Sequence, residues 1–510
     1  MRGSEIQFAE VHVLMIKIIS RRRFLAGTVA KSLAAFAALS ASPRPNVLFL
    51  GVDDWRDWVG CLGARPGVKT PNLDRLASEG LLFTNAHCAA PVCNPSRTSL
   101  LTGLRPSTSG VYANNQWWKP ALPDAVTLPQ YFKQNGYYVA GGGKIFHHMP
   151  GFNDPDAWHD YYHWAEVNKQ NGWAGGYNSS PDILPPHVPL AGVNEYRENF
   201  DFGPVDNPDS DFPDYKVASW ASEFLARPAK NPFFLAVGMF RPHLCWYVPR
   251  KYYAMYPLAS IKLPEVLEND LDDVPAAALR LQQVRIPDEH NLVVKKGKWK
   301  EAVQAYLACI SFSDAMVGRM LRALEAGPHK DNTIVVLWSD HGYHLGEKNA
   351  WHKFTLWEES TRVPLMFAAP GVTKAGTRCG RPVSLVDLYP TLAELCGLPR
   401  KTGLDGQSLM PLLKNPAAAW DRPALITSGF SNHSVRDERW RYIRYEDGSE
   451  ELYDHQKDPK EWRNLAGKAE YGDVKEKLTR WLPQKNQSPV PGQKAYRFDP
   501  KTYTWSKVSS

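Results

Sequence analysis

Asn46-Val47-Leu48-Phe49-Leu50-Gly51-Val52-Asp53-Asp54 is an almost unbroken apolar run that stops at two carboxylates. Strict alternation would mark a strand with one wet face; a continuous run of this length marks a strand buried on both, as in a parallel sheet covered by helices. Thr333-Ile334-Val335-Val336-Leu337-Trp338 has the same character and ends in Ser339-Asp340-His341-Gly342. In open α/β sheets ligands collect beyond the carboxyl ends of the strands, so an acidic pair and an Asp-His pair at two such ends point to one site. Asp53, Asp54 and Asp340 would repel one another unless a cation lay between them. Donors that are mostly oxygen suit a hard divalent ion such as calcium or magnesium.

Working outward, Tyr137-Tyr138-Val139-Ala140 leads through three glycines to Lys144-Ile145-Phe146-His147, and Pro232-Phe233-Phe234-Leu235-Ala236-Val237-Gly238 leads to Arg241-Pro242-His243. Taken singly, Lys144 reads as a surface lysine and either histidine as a hydrogen-bonded loop residue. Cys93-Asn94-Pro95-Ser96-Arg97, followed by Thr98 to Gly103, reads as a helix with Pro95 in its first turn and Gly103 just past its end. Cys93 then lies at a helix N-terminus, where partial positive charge favours anions, and Arg97 adds a permanent cation one turn on.

The Cys-x-Pro-Ser-Arg string resembles the mark of the type I sulfatases, and the order and spacing of the other blocks follow that family through most of the chain. Arg44 to Leu48, Thr70-Pro71-Asn72-Leu73-Asp74-Arg75-Leu76-Ala77, Leu128 to Phe132, and Ser339 to Glu347 resemble the iduronate-2-sulfatase branch in particular. Tyr343 departs from it, standing where that branch carries a tryptophan, and Asn94 replaces a small apolar residue. The resemblance implies an alkaline-phosphatase-like α/β fold: a large mixed sheet between helices, with a smaller C-terminal subdomain of antiparallel sheet plus helix. It implies that Cys93 is oxidised to formylglycine by a maturation enzyme. Asp53, Asp54, Asp340, His341 and residue 93 would hold calcium, with magnesium or manganese as alternatives. Arg97, Lys144, His147 and Lys353 would hold the nucleophile and the sulfate, and His243 would stand near the leaving oxygen. Asp340 is the candidate base.

The remaining sequence frames this site. The chain has 510 residues, 43% of them hydrophobic and 22% charged, enough for one large domain and a smaller one. Ser20-Arg21-Arg22-Arg23-Phe24-Leu25 and the apolar stretch Leu33 to Leu39 resemble a twin-arginine export signal, so residues 1–42 read as a leader recognised by that export machinery, and the mature chain as periplasmic or secreted. The stretch is too short for a stable membrane anchor. Removing residues 1–42, with six Lys/Arg and two Asp/Glu, takes the formal charge from +7 to +3, which gives no argument for nucleic acid. Seven dispersed cysteines show neither zinc spacing nor a disulfide framework. Residues 43–415 read as the catalytic domain and 416–510 as the subdomain. Residues 150–215 read as a long insertion, and Trp117, Trp118, Trp158 and Trp164 as side chains that either stack on sugar faces or pack beneath loops.

The expected function is hydrolysis of a sulfate ester on a carbohydrate, such as a sulfated uronic acid or an algal polysaccharide unit. The alternatives are a phosphonate monoester or phosphodiester hydrolase of the same superfamily, or a non-catalytic glycan-binding relative in which Cys93 stays a thiol.

Overall fold

All seven residues of β1 (Asn46–Val52) are buried, as its unbroken apolar character requires. The computed structural model describes residues 44–162, 189–193, 200–284 and 289–508. The leader, Trp164 and about half of the expected insertion lie outside those residues. Seven further strands complete the central sheet: β2 (Leu81–Phe83), β3 (Tyr138–Gly143), β4 (Asp160–Tyr162), β5 (Phe233–Met239), β6 (Thr333–Ser339), β7 (Leu365–Ala368) and β8 (Thr377–Cys379). Their spatial order is β8-β2-β7-β6-β1-β5-β3-β4. β1 runs parallel to β5 and β6, and β3 runs parallel to β5 and β4. β7 is antiparallel to both β6 and β2, so the sheet is mixed. Val52 pairs with Met239 and Ser339, and Gly143 with Gly238, so the central parallel strands end nearly level.

Helices cover both faces: α1 (Pro71–Glu79), α2 (Cys93–Thr102), α3 (Leu128–Gln134), α4 (Pro213–Ala226), α5 (Trp299–Ala326) and α6 (Leu388–Leu395). The two-residue period of a strand divides β1 between them. Leu48, Leu50 and Val52 share a cluster with residues of α1, α4 and α5. Val47 and Phe49 share the other with residues of α2, α3 and α6. Phe49 lies 5.5 Å from Phe234 and 5.2 Å from Trp338 between ring centroids, each side chain worth roughly 1.5–3 kcal/mol for full burial. Thr70 and Pro71 open α1 and Gly80 follows it. Thr70 uses its hydroxyl differently from a standard cap: it accepts from Gly60 N–H (2.8 Å) and donates to Asp74 (3.2 Å).

The subdomain is the antiparallel sheet β9 (Ala424–Thr427), β10 (His433–Arg436), β11 (Trp440–Arg444) and β12 (Glu450–Asp454), with α7 (Gly472–Thr479) packing Leu478 against Leu425, Val435, Tyr442 and Leu452. Its other face, with Ile426, Ile443 and Tyr453, joins the cluster that holds Phe49. Residues 487–508 then return to the large unit. The N–H groups of Gln487, Val490 and Gln493 donate to the carbonyls of Ser107, Gly110 and Asn115. The hairpin β13 (Tyr496–Asp499) and β14 (Thr504–Lys507) covers Trp117, with Phe498 at 5.7 Å and Trp505 at 6.3 Å. Trp117, Trp118 and Trp158 are all buried, Trp118 stacked on Phe146 and Trp158 set edge-on to it, so these three pack beneath loops and offer no face to a sugar.

An ion network ties the subdomain to the segment before β7. Arg441 contacts Glu461 (2.5 Å) and Glu358, Arg436 contacts Glu358 (3.4 Å), and His455 contacts Glu461 (2.8 Å). Burial pushes the Glu461 carboxyl up, but Arg441 and His455 outweigh it and hold it at about 2, against a usual 4.5. A folded-state value below the unfolded one stabilises above pH 4.5 and is lost as pH falls towards 2. We expect urea stability to fall by on the order of 3 kcal/mol across that window from this group. A Glu461→Gln variant, starting from lower stability, should lose that part of the slope; an unchanged slope would remove Glu461 from the network's pH dependence.

Candidate functional site

Beyond Val52 the chain turns at once: Asp54 takes φ 59°, a left-handed conformation that Asp tolerates better than most residues. The turn is fastened to the end of β6, with Asp54 N–H donating to Asp340 Oδ1 (3.1 Å) and Trp55 N–H to Ser339 Oγ (3.0 Å). From below, Tyr306 of α5 donates to the Asp54 carbonyl (2.7 Å). Cys93 is the first residue of α2, which ends at Gly103 with φ 73°. Asn94 anchors this start: its N–H donates to Asn114 Oδ1 (2.9 Å), and its side-chain amide to the carbonyls of Ala113 and Gln116 (2.8 Å each).

Cations and carboxylates then interlock. Arg97 Nε donates to Asp340 Oδ2 (2.8 Å) and its NH2 lies 3.5 Å from Asp53 Oδ1. Lys144 donates to Asp53 Oδ2 and stands 3.8 Å from Cys93 Sγ. Lys353 donates to Asp54 Oδ1 (2.6 Å). His341 Nε2 is 3.3 Å from Cys93 Sγ, and its Nδ1 is 3.3 Å from Asp54 Oδ1. His243 Nδ1 faces the Leu244 carbonyl (2.7 Å), leaving Nε2 towards Asp54 Oδ2 at 4.0 Å. His147 rests edge-on against Phe152, and neither of its ring nitrogens has a hydrogen-bond partner among the described residues. Every residue named for the site in the sequence thus lies in one cluster, and none is more than 5% exposed.

Burial sets the electrostatics. It pushes Asp53 up, yet Lys144, His243 and Arg97 outweigh it and hold the carboxyl well below its usual range. Asp340 goes the other way, to about 7, because burial and Asp53 overcome Arg97. Burial disfavours a charged His341, but Asp340 and Cys93 raise it to about 9. The Cys93 thiol sits below its usual range despite burial, because Lys144 and Lys353 favour the thiolate. His147 and His243 are held well below 6.5 by burial and then by Lys144.

Asp53, Asp54, Cys93 and His341 each offer a ligand atom within 4.8 Å of the others. Asp53 Oδ1 and Asp54 Oδ2 are buried and accept no hydrogen bond among the described residues. Two orphaned carboxylate oxygens beside an imidazole fit a hard divalent cation, and an oxygen at position 93 would fit it better than sulfur. The Asp340 carboxylate is more heavily engaged, accepting from Asp54 N–H, His341 N–H and Arg97.

Tyr306 and the close crossing of Gly143 with Gly238 gave no sequence signal of their own. Tyr306 hides in the apolar pattern of α5, and the crossing is visible only in register. Lys144 N–H donates to the Gly238 carbonyl (2.9 Å), while Gly143 takes φ 74°.

The family model described as Sulfatase matches residues 45–398, and one described as N-sulphoglucosamine sulphohydrolase, C-terminal, matches residues 346–488. The chain is 39% identical over 468 residues to a sulfatase of Formosa agariphila, covering 90% of each chain. It is 34% identical over 402 residues to iduronate 2-sulfatase of Homo sapiens, covering 71% of this chain and 70% of that one. Two solved structures share the fold. One, titled as a complex with its substrate D-glucosamine-2-N,6-O-disulfate, has a TM-score of 0.68 at 22% identity and covers 86% of this chain and 97% of its own. The other, phosphonate monoester hydrolase from Silicibacter pomeroyi, has a TM-score of 0.70 at 23% identity and covers 86% and 94%.

A Cβ at Gly238 would come within 2.2 Å of the Lys144 carbonyl. Gly238→Ala should therefore cost about 2–3 kcal/mol in chemical unfolding and displace Lys144, lowering activity at least tenfold. Unchanged stability and turnover would show that the crossing tolerates a side chain.

Proposed function

The chain belongs to the sulfatase family and is a sulfatase, and from that premise we propose that it removes sulfate from a carbohydrate through a formylglycine made from Cys93. The observation that carries this reading is the position of Cys93 Sγ, at a helix start, 3.3 Å from His341 Nε2 and 3.8 Å from Lys144 Nζ. A sulfated uronic acid or algal polysaccharide unit is the substrate class we favour. The 34% identity to human iduronate 2-sulfatase supports it, as does 29% identity over 465 residues to an ulvan-active sulfatase of Formosa agariphila.

Hydrated formylglycine supplies a hydroxyl nucleophile that can expel its own product, which a thiol cannot. A calcium ion held by Asp53, Asp54, Asp340, His341 and residue 93 would add Lewis-acid stabilisation. Arg97, Lys144 and Lys353 would bind the sulfate oxygens as negative charge spreads onto them, with His147 supplying a further donor. Asp340, whose carboxylate is held by Arg97 at the end of β6, is the candidate base. His243 Nε2 points towards the acidic pair and would protonate the departing sugar oxygen. A bound sulfate ester would offset Lys144 and Lys353, the cations that, after burial, depress this imidazole, and so restore its proton.

Export through the twin-arginine route and maturation by a formylglycine-generating enzyme belong to the same reading, as does the division into a catalytic domain (43–415) and a subdomain (416–510). No helix among the described residues is long and apolar enough to cross a membrane.

The peptide containing residue 93, from protein made in a host that carries the maturation enzyme, should show the mass of formylglycine or its hydrate. Cys93→Ala should lower turnover by at least ~10³-fold. An unmodified thiol in active protein would reject the mechanism. Among sulfated uronides, other sulfated sugars and phosphonate monoesters, a sulfated uronide should give the highest kcat/KM; preference for a phosphonate would overturn the substrate class. Exhaustive chelation should abolish activity, and calcium should restore more of it than magnesium or manganese does.

A further inference from the structure

We propose that Glu289 and His352 form a positioning pair for Lys353, fixing the lysine that would hold the anionic group of the substrate. The proposal rests on the sulfate-binding reading of Lys353 given above.

Lys353 reaches Asp54 from the end of a small hairpin in which His344 and Leu345 pair with His352 and Trp351. The backbone there is unusual. His352 takes φ 75° and Phe354 takes φ 84°, so the residue on each side of the lysine is left-handed, and at the hairpin tip Lys348 and Asn349 take φ 50° and 51°. None of these has glycine's freedom, so contacts outside the hairpin must hold the conformation.

Those contacts come from residues 270–299, between β5 and the start of α5. Glu289 Oε2 lies 2.5 Å from His352 Nε2, while His352 Nδ1 lies 2.8 Å from the Tyr343 hydroxyl. The carboxylate of Glu289 thus faces one ring nitrogen of His352 and the Tyr343 hydroxyl bonds the other, so the imidazole is flanked from both ends. All three side chains are buried. Other bonds from the same region secure the rest of the hairpin. Trp351 donates to His290 (3.2 Å), Gln282 to the Asn349 carbonyl (2.7 Å), Trp299 to the Leu345 carbonyl (2.7 Å), and Lys348 to Asp270 (2.6 Å). The Glu289 contact falls on the residue next to the lysine. Cutting it releases the His352 ring at Nε2 alone, leaving Tyr343 on Nδ1 and the other four fastenings intact, so its effect should reach Lys353 before it reaches the fold.

The test is a double-mutant cycle on the mature enzyme, reading the dissociation constant of inorganic sulfate by calorimetry and the thermal midpoint in parallel. Glu289→Ala should weaken sulfate binding about tenfold, and Lys353→Ala at least as much. The double variant should be no weaker than Lys353→Ala alone. Glu289→Gln, which keeps an oxygen opposite Nε2, should stay within about threefold of the parent. If Glu289→Ala does not fold, His352→Gln carries the same cycle. Sulfate affinity unchanged by Glu289→Ala, or losses that add in the double variant, would overturn the positioning pair while leaving the role of Lys353 standing. Affinity unchanged by Lys353→Ala would overturn both readings together.

Discussion

Asp53, Asp54 and Asp340 are buried within a few ångströms of one another, and a protein interior penalises an isolated carboxylate heavily. Lys144, Lys353 and Arg97 meet that penalty directly, each against a different carboxylate. The rest of the architecture follows from bringing these six groups together. Their partners come from β1, β3, β6, α2 and a distant hairpin, so the strands must end level and the helix must start where they end. The register that pairs Val52 with Met239 and Ser339 does this. The same crowding makes the cluster suited to sulfate. Its cations are held by carboxylates at short range yet confined in a region of low dielectric, where an incoming anion and a metal ion can redistribute the charge.

Much of this could be read from the sequence because the decisive signals are local. The run from Asn46 to Val52 is buried on both faces for the reason its composition gives, and its period-2 division between two cores follows from strand geometry alone. Pro95 and Gly103 bracket a helix whose first residue is Cys93. The harder parts are long-range. Tyr306 beneath Asp54 looks like any aromatic on an amphipathic helix, and Glu289 looks like a surface acid until His352 is placed against it. The tryptophans left two readings open for a related reason. Sequence reveals their abundance, whereas only the return of residues 487–508 shows what covers Trp117.

Two regimes of buried charge coexist in the molecule. At the candidate site, Asp53 Oδ1, Asp54 Oδ2 and both ring nitrogens of His147 have no hydrogen-bond partner among the described residues. At the junction with the subdomain, Glu358 and Glu461 are instead saturated by Arg436, Arg441 and His455. Although Glu358, His455 and Glu461 also lie near enough to share a cation, the guanidinium groups already occupy that role. The contrast separates charge kept for chemistry from charge spent on architecture.

The closing segment of the chain bears on the order in which the molecule is assembled. Gln116 and Val490 are 374 positions apart, yet Gln116 donates to the Val490 carbonyl (2.6 Å) and accepts from the N–H groups of Tyr112 and Ala113. Asn94, beside Cys93, is bonded to Ala113, Asn114 and Gln116. The support around the start of α2 is therefore completed by residues synthesised hundreds of positions after it. During synthesis the cysteine emerges early while its clasp is still missing. The interval between the two events is a period, set by translation rather than by any hinge, in which the surroundings of Cys93 are still incomplete.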